Sequence, residues 1–174
     1  MRNHNIGSVS AGTMRAEDLI PALLSELRSQ KPLRREHRKL AREIAKRMDA
    51  DYTHDHDAEG CTCNGLGLWN CGMNQDAEDY FGKDDADYDL EALFDALNEY
   101  APSYFYFGAH PGDGSDYGYW LSECFAEDFD GMKVSDLSEV PTGFSGEVLK
   151  VNDHGNMTLY AYSRGRGREV WGIV

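Results

Sequence analysis

The spacing of apolar residues predicts helices in the first half of the chain. Leucine, isoleucine and alanine recur every three or four positions in Leu19–Leu27, in Leu33–Met48 and in Leu90–Leu97. Pro21 leaves two alternatives for the first helix, which either kinks at this residue or properly begins near Asp18. The middle of the chain returns to helical spacing at Asp89, which we interpret as an N-cap.

Alternating patterns predict strands in the second half. Two aromatic runs in Tyr104–Leu121 flank a turn of Pro, Gly and Asp, as in a β-hairpin, and we expect the Leu90–Leu97 stripe to pack on it. Three further strands are predicted at Gly146–Val151, Met157–Ser163 and Glu169–Val174, joined by the turns NDHGN and RGRGR. Together these elements predict an α+β fold: an antiparallel sheet of about five strands with helices packed on one face.

The length of 174 residues suits one domain, 1–174, with N-terminal helices at about 14–48. A long acidic loop at about 50–83 is rich in Gly, Asp and Asn, and we expect it to be partly mobile. No window reaches the ~20 apolar residues of a membrane span, and the first residues lack the apolar run of a signal peptide. A cytoplasmic location and reduced thiols for the four cysteines are therefore expected.

The net charge of −14 is concentrated in the middle of the chain. Residues 1–50 carry 11 Lys/Arg against 6 Asp/Glu, residues 51–140 carry 2 against 22, and residues 141–174 carry 4 against 3. An acidic field attracts basic protein surfaces and repels nucleic acid, so direct nucleic-acid binding is disfavoured. The basic face of the second helix is interpreted as a solvated surface or as a partner for the acidic middle.

The acidic loop contains soft and borderline metal ligands at His54, His56, Cys61, Cys63 and Cys71. In zinc sites two or three residues usually lie between paired ligands, whereas only one residue lies between His54 and His56 and between Cys61 and Cys63. A polar loop without a cofactor is therefore preferred, and a zinc-stabilised interaction module stays an alternative.

Two predicted turns carry residues capable of acid–base chemistry: His110, Asp113 and Asp116 on one, and Asp153 and His154 on the other. If these turns met, a small metal-dependent hydrolase would be conceivable. Asp and Gly at such spacings are also what tight turns require, and this interpretation is preferred.

Three stretches carry a resemblance: GTMRAEDLIPAL, YFGAHPGDGSDYGYWLS and VNDHGNMTLYAYSRGRGREVWGIV. The chain resembles a family of uncharacterised bacteriophage and prophage accessory proteins across most of its length. The resemblance implies a small protein that acts in the cytosol of an infected bacterium, in the manner of phage products that block host defences.

Charge and resemblance together favour binding over catalysis. The expected partner is a host protein with a basic surface, such as a CRISPR effector or another nucleic-acid enzyme, with no direct nucleic acid and no membrane involved. The acidic protein would inhibit this partner by imitating nucleic-acid charge, as anti-CRISPR proteins do. The oligomeric state is left open. The residues expected to form the binding surface are Asp76, Glu78, Asp79, Asp84, Asp85 and Asp87.

Overall fold

A computed structural model of the chain describes residues 6–52, 78–81 and 84–173. The helices are α1 (Ala16–Ser29), α2 (Arg35–Tyr52), α3 (Glu78–Phe81), α4 (Asp84–Asn98) and α5 (Phe125–Asp128), and a 3-10 turn spans Leu137–Glu139. The strands are β1 (Gly7–Ser10), β2 (Phe105–His110), β3 (Asp113–Leu121), β4 (Met132–Val134), β5 (Gly146–Val151), β6 (Met157–Ser163) and β7 (Arg166–Ile173). The predicted α+β class is confirmed.

The strands form two sheets instead of the single sheet of about five strands. A three-stranded sheet has the order β1-β3-β2, and a four-stranded sheet has the order β4-β5-β6-β7. Within the second sheet β4 is parallel to β5, and the other pairs are antiparallel. The five-strand prediction is wrong because the central hairpin takes the N-terminal strand β1 as its sheet neighbour. The sequence offers little to indicate this pairing between distant segments.

The described residues group into two compact units. The helical unit comprises residues 8–52, 78–81, 84–100 and 109–117, and the sheet unit comprises residues 6–7, 101–108 and 118–173. The prediction of one domain is not tested by this grouping and stays a prediction.

The core of the helical unit is formed by aliphatic side chains of its helices. Helix α1 begins after Arg15, has acidic residues in its first turn and includes Pro21, which settles the question of where this helix starts. Its buried leucines and Ile20 lie on one face, and α1 packs against both α4 and α2. Helix α4 therefore contacts mainly α1, whereas the sequence predicted packing on the hairpin. Phe94 does meet the hairpin residue Tyr117, with ring centroids 5.3 Å apart.

The core of the sheet unit is aromatic. The indole of Trp171 is buried, and its ring lies 5.3 Å from that of Phe105 and 5.7 Å from that of Phe125. Its Nε1 donates a hydrogen bond of 3.0 Å to the carbonyl of Ser103, which satisfies the one polar atom of the side chain. Buried aliphatic residues of β5 and β6, Val148 and Leu159 among them, complete this core.

The two C-terminal hairpins follow the sequence prediction, except that β7 begins at Arg166 instead of Glu169, so the predicted RGRGR turn is only two residues long. Strands β5 and β6 pair from Gly146↔Tyr162 to Val151↔Met157, and β6 and β7 from Met157↔Ile173 to Ser163↔Arg166. The β6–β7 connection is a two-residue turn in which Arg164 (φ 51) and Gly165 (φ 76) both have left-handed backbones. Such a pair is typical of a type I′ turn, which matches the twist of the flanking strands.

Candidate functional site

The predicted acidic surface falls partly on helix α4. Asp84, Asp85 and Asp87 occupy its first turn with exposed side chains, where the helix dipole favours negative charge. Glu78 and Asp79 lie in the short helix α3, and Asp76 lies outside the described residues. The structure thus brings together three of the six predicted residues.

The acidic surface continues along α4 beyond its first turn. Asp84, Asp87, Glu91 and Asp95 are separated by three, four and four positions, so they lie in a row on one side of the helix. All four are exposed, and in the described part of the chain none of them is in an ion pair. We call these four residues the acidic stripe. Its α-carbons span about 16 Å along the helix axis.

Tyr88 lies beside the acidic stripe and is unusually accessible. Its side chain is 68% exposed, and apart from Met14 no other large hydrophobic residue in the described ranges is classed as exposed. Tyrosine is enriched at protein interfaces because its ring supplies apolar area and its hydroxyl a hydrogen bond. An accessible tyrosine within a row of carboxylates is therefore suited to protein recognition.

Another face of α4 is joined to the basic helix α2 by ion pairs. Arg47 contacts Asp89 with two hydrogen bonds, Nε–Oδ2 at 2.7 Å and Nη2–Oδ1 at 2.5 Å. Arg34, directly before α2, forms an ion pair with Glu99, directly after α4. For Arg34, the interpretation of the basic face as a partner of the acidic middle is confirmed, whereas Arg47 was not predicted to belong to that face.

Asp89 does not act as an N-cap. Helix α4 begins at Asp84, so Asp89 lies inside the helix, where it is 6% exposed. The Tyr80 hydroxyl donates a 2.7 Å hydrogen bond to Asp89, and burial together with this bond raises the pKa of Tyr80 above its usual range. The carboxylate thus links α2, α3 and α4, because a buried charge needs partners.

Basic side chains remain exposed on α2. Arg35, Arg42 and Lys46 lie on one side of the helix, and no ion pair or hydrogen bond of theirs is present in the described structure. The solvated-surface interpretation therefore applies to these three residues. The helical unit consequently displays cations on α2 and carboxylates on α4.

Two of the three candidate catalytic residues of the central hairpin make local turn contacts. Gly112 N donates to His110 Nδ1 at 3.0 Å, and Ser115 N donates to Asp113 Oδ1 at 2.9 Å. The latter bond is the main reason that the pKa of Asp113 lies below its usual range. Asp116 accepts a hydrogen bond from the Ser8 hydroxyl. The contacts of His110 and Asp113 support the turn interpretation of the sequence, whereas the contact of Asp116 joins β3 to β1.

Asp153 and His154 lie in the β5–β6 turn and belong to the sheet unit, whereas the residues of the central hairpin turn belong to the helical unit. The carboxamide oxygen of Asn152 accepts hydrogen bonds from His154 N at 3.0 Å and Asn156 N at 2.9 Å. Gly155 supplies the positive φ of +83° that the turn requires. The backbone of this turn is therefore fixed by Asn152 and Gly155.

The candidate zinc ligands His54, His56, Cys61, Cys63 and Cys71 all lie outside the described residues. Within the described ranges, no group of three or more His, Cys, Asp or Glu side chains is arranged to hold a metal ion. No helix in these ranges is both long and apolar enough to cross a membrane.

The sequence prediction missed Tyr88, Glu91 and Asp95. Their spacing relative to Asp84 and Asp87 would have identified them, because positions three or four apart share a side of a helix. The prediction instead chose the residues of the segment in which carboxylates are most closely spaced along the sequence.

Comparison of the chain with protein-family models, with curated proteins and with solved structures gives no match. The phage resemblance therefore stays a prediction.

Proposed function

We propose that the chain is an acidic accessory protein of phage type that binds a basic surface of a bacterial host protein. By imitating nucleic-acid charge, it inhibits a host enzyme that handles nucleic acid, a CRISPR effector being one candidate. The proposed site of action is the bacterial cytosol. The observation that carries this proposal is the acidic stripe on α4, with the exposed Tyr88 beside it.

The spacing of the acidic stripe supports a mimic of phosphate charge. Its four carboxylates follow one another at about 4.5 to 6 Å along the helix axis, compared with about 3.4 Å for the phosphates of one DNA strand. Asp85 adds a further exposed carboxylate at the start of α4. A basic groove that accepts a phosphate backbone would therefore meet a similar row of negative charge.

The hairpin residues proposed for hydrolysis do not offer comparable support. His110 and Asp113 receive hydrogen bonds from backbone N–H groups two residues away, which accounts for both residue types at these positions. The binding function is preferred for that reason.

The test compares two variants that change the net charge equally. The stripe variant is Asp84→Asn, Asp87→Asn, Glu91→Gln and Asp95→Asn. The control variant is Glu123→Gln, Glu127→Gln, Asp128→Asn and Asp130→Asn, which alters exposed carboxylates of the sheet unit. Each set removes four negative charges and moves the formal net charge from −14 to −10.

Each immobilised protein is exposed to host lysate, and retained proteins are identified by mass spectrometry. We expect the wild type and the control to retain the same nucleic-acid enzyme and the stripe variant to lose it. The purified enzyme should then lose nucleic-acid binding at one equivalent of wild type but keep it with the stripe variant. Equal retention by both variants, or inhibition far below one equivalent, would argue against the proposal.

A further inference from the structure

A cavity of about 370 Å³, lined mainly by polar residues, opens on the sheet unit at strands β5, β6 and β7. Its volume lies at the small end of the range for ligand sites, which is about 300 to 1,000 Å³. Gly172 and Ile173 contribute to the lining. The polar residues that line the cavity are Lys150, Asn152, Asn156, Thr158, Tyr160 and Glu169.

Strand register brings these side chains together. Lys150 pairs with Thr158 across β5 and β6, and Thr158 pairs with Gly172 across β6 and β7. A register shift between Leu159 and Tyr160 then places Glu169 opposite Tyr160. Without this irregularity the partner of Tyr160 would be the apolar Val170. Bulges commonly redirect a side chain in this way, and here the result is a carboxylate at the cavity.

The turn between β5 and β6 fixes one donor at the cavity. The carboxamide oxygen of Asn152 is occupied by two backbone N–H groups, those of His154 and Asn156. Its amide nitrogen makes no hydrogen bond within the described residues, so it is held in place as a donor.

Gly172 keeps part of the cavity open. A Cβ atom built at this position would lie 3.5 Å from Thr158 Oγ1 and 3.8 Å from Glu169 Oε1, which are ordinary contact distances. A side chain at position 172 would therefore occupy space beside two polar lining groups without a backbone clash. This glycine offers a way to fill the cavity and leave the sheet intact.

The charges of the lining balance each other. The cavity holds one cation, Lys150, and one carboxylate, Glu169, and these two form no ion pair in the described structure. Burial, and then the charge of Glu169, raise the pKa of Tyr160, so its hydroxyl stays protonated at neutral pH. The lining therefore combines donors with acceptors and has no net preference for an ion.

We propose that this cavity binds a small uncharged polyhydroxylated molecule, namely a sugar unit of a carbohydrate. Sugar hydroxyls donate and accept hydrogen bonds, so they can pair with an ammonium, a carboxylate, an amide and hydroxyl groups at once. The ring of Tyr160 supplies apolar area for the face of a sugar ring. The carboxylate of Glu169 would repel a bound anion, and the ammonium of Lys150 would repel a bound cation.

The test is a titration of the ¹⁵N-labelled full chain with D-glucose, D-galactose or N-acetyl-D-glucosamine, followed by NMR. We expect saturable shifts at the amides of Lys150, Thr158, Glu169 and Gly172 with at least one of these sugars. Gly172→Val should weaken that binding by about tenfold or more because the side chain fills the cavity. Gly114→Ala serves as the control, since a Cβ there has nothing within 4 Å.

Glycine, which is a zwitterion, and inorganic phosphate, which is an anion, are titrated in parallel as charged probes. Saturation by a sugar whose binding Gly172→Val weakens by about tenfold or more, with a native spectrum for the variant, supports the proposal. No saturable shift with any of the three sugars would overturn it. Binding of glycine or phosphate alone, or equal sugar binding by Gly172→Val, would overturn it as well.

Discussion

Arg47 and Asp89 join helices α2 and α4 through a two-pronged ion pair, with the Tyr80 hydroxyl as a third group on the same carboxylate. The Asp89 side chain is nearly buried, whereas that of Arg47 is 41% exposed. Solvent screens the pair only from the arginine side, so the carboxylate depends on its two partners. This contact ties α4 to α2, in addition to the packing of α4 against α1.

Replacing Asp89 by Asn should therefore destabilise the fold. The substitution preserves the shape of the side chain but removes the negative charge that accepts the hydrogen bonds of Arg47. Hydrogen bonds to charged groups contribute about 1.5 to 3 kcal/mol. The free energy of unfolding, measured by urea denaturation, should fall by about that amount. Asp87→Asn on the same helix is the control, because its exposed side chain should change stability by at most about 0.5 kcal/mol. Similar losses for both variants would contradict the assigned role of Asp89.

Leu93→Ala should destabilise the core of the helical unit. Leu93 is fully buried, on the helix α4 that packs against α1. Truncation of a buried leucine leaves a cavity and costs about 2 to 5 kcal/mol in the free energy of unfolding. Leu90→Ala, at a half-buried position of the same helix, should cost less. Thermal and urea denaturation of the two variants would measure the difference, and a Leu93→Ala protein that melts like wild type would show that α4 is peripheral.

The sequence predicted features that depend on neighbouring residues, but not those that depend on contacts between distant segments. The β6–β7 turn was recognisable because Arg164 and Gly165 are adjacent in the sequence. The pairing of β1 with β3 was not recognised, because it joins segments about a hundred residues apart with no local signal. Long-range pairing is also why one sheet was predicted where two are found.

The same distinction applies to the candidate surface. The carboxylates at the start of α4 were identified from local charge density, since exposed charge needs no partner. Asp89 has the same residue type but a different role, because its partner Arg47 is 42 positions away. Local sequence could not separate an exposed carboxylate from one held by a distant arginine.

His37 should make stability depend on pH. It is 6% exposed, its Nδ1 lies 2.9 Å from the Tyr100 hydroxyl, and its Nε2 lies 3.7 Å from a carboxylate oxygen of Glu99. Burial lowers the pKa of His37 below 6.5; the nearby Glu36 opposes this shift, and Arg34 adds to it. The unfolded chain therefore binds the proton more readily than the folded one. The contribution of His37 to stability is fully present above the unfolded pKa of about 6.5 and is lost as pH falls through that value towards the folded pKa.

The measurement is the free energy of unfolding of wild type and His37→Gln at about pH 7.5 and about pH 5.5. The wild type should lose more stability between these values than the variant, since the variant has no imidazole to titrate. The carboxylates and the other histidines change the free energy of unfolding equally in both proteins, so their effect cancels in the difference. Parallel pH profiles would mean that His37 is not buried in its neutral form.

Arg164→Asn should stabilise the chain. Arg164 has a left-handed backbone with φ 51, and such a conformation is uncommon for residues other than Gly, Asn and Asp. Asn-Gly is the preferred pair for a type I′ turn, so the substitution should raise the free energy of unfolding by about 0.5 to 1 kcal/mol. Arg168→Asn, in strand β7, removes the same charge without this benefit and should not stabilise. Urea denaturation of both variants measures the effect, and a gain in both would indicate that loss of charge is the cause.

The association of the acidic stripe with the proposed host protein should be fast at low salt and slow at high salt. Charge complementarity acts mainly on the association rate, and the Debye length falls to about 8 Å at physiological ionic strength. Stopped-flow mixing of the chain with the captured host protein would give the rate at each salt concentration. Reversing Asp84 and Asp87 to Lys should slow association strongly and flatten its salt dependence. The dissociation rate should change less, because exposed charges contribute little once the complex has formed.

Two controls make this result interpretable. Lysines in the first turn of α4 oppose the helix dipole at a cost of about 0.3 to 1 kcal/mol each, so circular dichroism must show that the reversed variant is folded. Reversal of Glu123 and Glu127, which are exposed in the sheet unit, changes the net charge equally and should leave most of the rate and its salt slope intact. If both pairs slowed association alike, the overall charge of −14 would be responsible and the stripe would not be the binding surface. A rate independent of salt in the wild type would exclude charge mimicry altogether.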